Sequence, residues 1–255
     1  MMNNRFLWLI FLLPLLYSCQ KYNKAPFDEY ERILRTTKAD DKGIIIDSLW
    51  DKRDSLSYLR LKNVKFMYLK SVNSIPKWIT KFDSLEMISN TVDKSYLESF
   101  ENIKNLKNLK TLDLSHSKIK EIQNNIFQIK SLEYLVFDEN KIVNIPIEIK
   151  ALQNLKSIHI SQNPLINVPN QVCQLKKIES LIVEDTKITE LPKCLGNLQN
   201  LEWINVSGTQ LTEFPIEILN APKLETIDAR RLKLKNYKEV KTICEKKKIN
   251  FHYDE

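Results

Sequence analysis

The groups in this 255-residue chain that could do chemistry are few: three histidines (His116, His159 and His252), four cysteines and three glycines. His116 and His159 bracket Asp138 and Glu139. Imidazole and carboxylate are the donor types of zinc and acid–base sites. Nothing in their spacing fixes a mutual geometry, however, so no catalytic residue and no metal ligand is assigned. No serine stands at a motif distance from a base. Gly43, Gly196 and Gly208 are too far apart for a phosphate-cradling loop, which needs several glycines close together, so no nucleotide cofactor is expected. The formal charge is +7. The lysines are scattered apart from Lys246, Lys247 and Lys248, which argues for solubility and weak attraction to polyanions rather than for a nucleic-acid partner.

The cysteine with the clearest context is Cys19. Phe6 to Tyr17 is an apolar run broken by Pro14. Twelve helical residues reach about 18 Å, short of a hydrocarbon core of about 30 Å, so the run suits a secretory signal better than a membrane span. Leu16-Tyr17-Ser18-Cys19 resembles the lipobox of bacterial lipoproteins, with Tyr17 departing from the usual small or aliphatic residue. The resemblance implies cleavage before Cys19 and acylation of it, and hence a lipid-anchored protein of the bacterial cell envelope. Residues 1–18 are then the signal peptide and 19–58 a tether and N-terminal cap. In that cap, 27–34 reads as a short helix and 43–46 as a strand.

The body of the chain repeats every 23 residues. Counting Leu109 as position 0, the same position recurs at Leu132, Leu155, Ile178, Leu201 and Leu224. Positions 0, 3, 5, 10, 13, 17 and 20 are apolar in all five complete repeats, 35 residues of 35 in a chain that is 43% hydrophobic. Position 14 is proline at Pro146, Pro169, Pro192 and Pro215. This pattern resembles the leucine-rich repeat. An earlier, irregular repeat includes Pro76. The resemblance implies an α/β solenoid: a curved parallel sheet on the concave face, short helical or 3-10 return arms on the convex face, and repeats over 59–235. Position 8, where the family uses Asn to tie neighbouring turns, holds Ser117, Asn140, Asn163, Thr186 and Thr209, and hydroxyls can do that job more weakly. A C-terminal cap over 236–255 follows, with Tyr237, Val240, Ile243 and Cys244 at helical spacing and Ile249, Phe251 and Tyr253 alternating. Cys173 and Cys194 lie on adjacent repeats at positions 18 and 16, which leaves a disulfide and two separate thiols both open.

Positions 1, 2, 4, 6 and 7 should point outward from the concave face, and Ser180 at position 2 should meet solvent. From Lys110 to Arg231 these positions hold ten acids and four bases. The residues expected to meet a partner are Tyr134, Val136, Asp138, Glu139, His159, Ile182, Glu184, Asp185, Trp203 and Asp228. Aromatic anchors ringed by acids suit a basic or amphipathic protein. Glycan or cell-wall material stacked on Tyr134 and Trp203 is the alternative. The expected function is non-catalytic binding.

Overall fold

The computed structural model describes residues 43–47, 64–70, 75, 77–90 and 101–254. Residues 1–42, with Cys19 and the helix expected over 27–34, lie outside these, as does Pro76. Ten strands form one parallel sheet in chain order: β1 Gly43–Asp47, β2 Phe66–Lys70, β3 Met87–Asn90, β4 Thr111–Asp113, β5 Tyr134–Val136, β6 Ser157–His159, β7 Ser180–Ile182, β8 Trp203–Asn205, β9 Thr226–Asp228 and β10 Asn250–His252. From β2 to β9 the chain returns through 3-10 turns, and before β10 through an α-helix, α1 (Tyr237–Lys247). The sheet begins at β1, inside the segment read as tether and cap.

Each element follows from the repeat. Position 3 is the middle residue of each strand from β4 to β9, flanked by positions 2 and 4, so its side chain enters the core and theirs leave by the other face. The prolines start the return arms. Pro146, Pro169, Pro192 and Pro215 are extended, and each carbonyl accepts the first 3-10 bond, from the N–H of Ile149, Val172, Leu195 and Ile218. Proline suits that place because its fixed φ and missing N–H sacrifice nothing there. Closure is complete: none of the 35 periodic apolar residues is more than 6% exposed. No single turn of the solenoid could bury them alone, so stacking supplies the stability.

Position 7 is left-handed in six successive turns, at His116, Glu139, Gln162, Asp185, Gly208 and Arg231. Five of these are not glycine, and the conformation costs such residues about 1–2 kcal/mol each. It gives the chain its sharp exit from the strand.

The tie at position 8 differs from expectation. Asn140 Oδ1 accepts from the N–H of Ser117 and Ile119, one turn back, while Nδ2 donates to the carbonyls of Leu114, Phe137 and Asp138. Asn163 repeats the pattern onto Ile142 and Phe137. Thr186 and Thr209 each donate only to the carbonyl three residues earlier, Val183 and Val206. At this position the threonine hydroxyl reaches only its own turn, so it closes that turn without tying the next. A second asparagine series ties the opposite loops: Asn108, Asn154 and Asn200 donate to the carbonyls of Asp83, Lys130 and Lys176.

Cys173 and Cys194 form a disulfide between adjacent return arms, with Cα atoms 5.8 Å apart. Cys244 is buried in the core.

Candidate functional site

The outward side chains of the sheet stand in register. Position 2 makes one ladder, Thr111–Tyr134–Ser157–Ser180–Trp203–Thr226, and position 4 another, Asp113–Val136–His159–Ile182–Asn205–Asp228. Both ladders are far less open than the sequence implies. Tyr134 keeps 4% of its surface, Val136 6%, His159 7%, Ile182 2% and Trp203 5%. Ser180, expected in solvent, is 1% exposed and shares a hydroxyl–hydroxyl bond with Ser157. Small residues between large rings on strands about 4.8 Å apart are shaded sideways by their neighbours, which alternation along one strand cannot reveal.

The side chains that stay more open follow at position 7, and at position 6 for Asp138 and Arg230, where the chain leaves the strand. With the buried carboxylates Asp113, Glu184 and Asp228 they divide into two groups. Toward β4 and β5 lie Asp113, Asp138, Glu139 and His116. The Asp113 carboxylate accepts from the Ser115 N–H and hydroxyl at 3.1 and 2.7 Å and from the Ser89 hydroxyl at 3.0 Å. Burial pushes its pKa up despite those bonds. Half-buried Asp138 accepts from the Ser161 N–H at 2.7 Å, and burial, aided by the charges of Asp113 and Glu139, pushes its carboxyl up to about 7. His116 Nδ1 lies 2.9 Å from Glu139. Burial lowers His159 to about 3, so that imidazole is neutral at physiological pH. No lysine or arginine among the described residues pairs with Asp113, Asp138 or Glu139.

Toward β7–β9 the acids are already engaged. The Arg231 guanidinium bonds Glu184 at 2.7 Å and Asp185 at 2.8 Å, reaching back two turns. It crosses the turn that carries Gly208. A Cβ on Gly208 would stand 2.1 Å from Asp185 Oδ1 and 3.1 Å from the Arg231 guanidinium, so the ion pair passes over the one glycine at position 7. Arg230 and the Ser207 hydroxyl bond Asp228. Burial works against ionisation of Asp228, but these partners outweigh it and hold its carboxyl below the usual range. Of the acids expected to meet a partner, Glu184, Asp185 and Asp228 are thus neutralised from within. The reason lies in the turn where the repeat ends: Arg230 and Arg231 occupy positions 6 and 7, where earlier turns carry acids, serines, His116, Gln162 and Gly208 and no lysine or arginine. Sequence periodicity counts such charges but does not pair them. No cluster of three or more His, Cys, Asp or Glu among the described residues could hold a metal ion.

Comparison with known proteins agrees with this geometry. A family model described as a leucine-rich repeat region matches residues 123–207. No curated protein matches in sequence. Among solved structures, a leucine-rich-repeat protein of Leptospira interrogans is 28% identical with a TM-score of 0.65, over 76% of this chain and 50% of that one. The chain therefore spans half the length of that relative. Internalin C2 of Listeria monocytogenes is 23% identical with a TM-score of 0.58, over 67% of this chain and 73% of that one. The leucine-rich-repeat ectodomain of an Arabidopsis thaliana membrane receptor kinase, solved in complex with Casparian strip integrity factor 2, is 22% identical with a TM-score of 0.57, over 69% of this chain and 22% of that one.

Proposed function

The chain is a leucine-rich-repeat protein, and from that premise we propose that it is a non-catalytic scaffold, anchored through acylated Cys19 to a membrane of a bacterial envelope and holding a protein partner on its sheet face. The observation that carries the reading is the pair Asp138 and Glu139, where the chain leaves β5. These acids face outward from a rigid ladder with no guanidinium or ammonium paired to them among the described residues. A partner presenting lysine or arginine would supply the missing charge, and Tyr134 and Val136 stand on the strand that leads into these acids. The internal ion pairs of Glu184, Asp185 and Asp228 favour a contact at the β5 end over one at those three acids. The plant ectodomain, a leucine-rich-repeat structure with its bound factor, supports a protein as the ligand class. The disulfide suits an oxidising compartment such as the envelope, since such bonds rarely persist in the cytosol. A glycan reading loses support, because its stacking rings, Tyr134 and Trp203, keep only 4% and 5% of their surfaces.

The test is capture from the native envelope, with cells fractionated first. Wild type should be in the membrane fraction and Cys19→Ala outside it or uncleaved. A partner crosslinked to wild type should be lost from Glu139→Lys and kept by Lys193→Ala on a return arm. Soluble wild type without acyl mass on Cys19 would end the anchor; retention of the partner by Glu139→Lys would end the site.

A further inference from the structure

The charge of this protein is concentrated at one end. Residues 230–248 hold nine lysines and arginines and two acids, a surplus of seven that equals the net charge of the whole chain. The other 236 residues balance, thirty bases against thirty acids. Within the basic segment the cations are divided by type. Both arginines turn inward onto Asp228, Glu184 and Asp185, and Lys247 donates to the Leu219 carbonyl and to Asn220. Lys233, Lys235, Lys238, Lys246 and Lys248 are exposed and form no ion pair among the described residues. They project from a firm base. Val240, Cys244 and Ile249 are buried in the core. Tyr237 stacks on Tyr253 at 5.2 Å, Tyr253 on Phe251 at 5.6 Å, and the Tyr253 hydroxyl accepts the Leu234 N–H.

We propose that this C-terminal cap, the face of α1 and the segment before it, is a docking surface for an anionic phospholipid bilayer. The surface differs from the protein-binding ladder in residues, charge and place, and it does not depend on Cys19. Charge complementarity selects the occupant. Guanidinium forks, which grip individual phosphates with fixed geometry, are committed internally, and what remains outside is a set of ammonium groups on flexible stems. Such groups suit a plane of mobile headgroups and make no demand on register. Each lysine near an anionic leaflet multiplies partitioning roughly fivefold, within a screening length of about 8–10 Å. A nucleic acid is less well matched, because the disulfide belongs to compartments outside the cytosol.

The experiment is sedimentation of the full chain with phosphatidylcholine vesicles, with and without phosphatidylglycerol. The apolar run near the N-terminus would bind both vesicles alike, so the readout is the ratio between them. Wild type should favour the anionic vesicles, and added salt should erase the preference. Lys233, Lys235, Lys238 and Lys246 changed together to Gln should lower the ratio at least about tenfold. Lys120, Lys141, Lys150 and Lys187 changed together to Gln remove the same charge elsewhere and should leave most of it. Matched melting curves confirm that both variants fold. A wild-type ratio of one, an equal loss in both variants, or cap-dependent binding to duplex RNA or heparin that exceeds binding to the vesicles would each overturn the proposal.

Discussion

In the turns that carry β5 and β6, Asn140 and Asn163 reach into the backbone of the preceding turn. In the turns that carry β7 and β8, Thr186 and Thr209 reach only their own carbonyls. The second region is tied in other ways. Cys173–Cys194 joins the return arm after β7 to the one before it, and Arg231 spans the opposite side, over Gly208, to Glu184 and Asp185. The apolar template is the same in both, so the difference lies in how polar groups hold one turn to the next. It has a consequence for binding. Where asparagine does the tying, the outward acids are left available; where an ion pair does it, the acids are used up.

The comparison breaks most directly at position 8. Asn140→Ala removes the two bonds that Oδ1 accepts from the N–H groups of Ser117 and Ile119 and the three that Nδ2 donates to carbonyls, four of the five buried. Leaving such groups unsatisfied costs about 1–3 kcal/mol each, so a loss of about 3 kcal/mol or more in chemical denaturation is expected. Thr186→Ala removes one bond within its own turn and should cost about 1 kcal/mol. Equal losses would mean that the two regions are tied alike.

A smaller effect sharpens the second half of the comparison. Gly208→Ala sets a methyl group against the Asp185–Arg231 ion pair and puts an L side chain at a φ of +64°. The expected loss is about 2 kcal/mol, of which the conformational part is about 1 kcal/mol. In an Arg231→Ala background the steric part should shrink, since one arm of the pair is gone. A double-mutant cycle measures this coupling, and strict additivity would show that the ion pair and the glycine are independent.

The contrast also explains what the sequence could and could not disclose. Leu181, Ile158 and their counterparts repeat at a fixed interval and all face one core, so the strands and their order follow from counting. The left-handed residues at position 7 follow no composition rule, because only Gly208 among the six is a glycine. Arg231 meets Glu184 across 47 residues, and its partner depends on side-chain reach rather than on period. The acids of the site were therefore legible as a set, but not the division between those already paired and those available. The shading of Tyr134 and Trp203 was hidden for a related reason: alternation within one strand says nothing of what adjacent strands cover. The disulfide was an open alternative because positions 16 and 18 do not coincide, and only the stacking of the return arms brings Cys194 to Cys173.

The smallest effect separates the two groups of acids by the sign of a pH dependence. Asp138 in the folded chain holds its proton up to about 7, whereas in the unfolded chain it releases it near its ordinary value of 3.8. Between these values the folded state binds more protons, so the contribution of Asp138 to stability is full at the acid end and is lost as pH rises through 7. Asp228 is held below its ordinary value by Arg230 and Ser207, so its contribution is present near neutrality and is lost as pH falls. His159, lowered to about 3, also loses stability as pH falls below 6.5, and it acts equally in wild type and in either aspartate variant. Asp138→Asn keeps an oxygen for the Ser161 N–H and removes only the titration. It should melt above wild type at pH 8, with the gap closing toward pH 5. Because Asp138 is half-buried, the difference should stay under about 1 kcal/mol, or about 2–4 °C. Asp228→Asn should melt below wild type throughout pH 5–8, because its gap closes only below its ordinary value of 3.8. If Asp138→Asn runs parallel to wild type from pH 5 to 8, or if both gaps have the same sign, the acids near β5 are no more available to a basic partner than those Arg230 and Arg231 already hold.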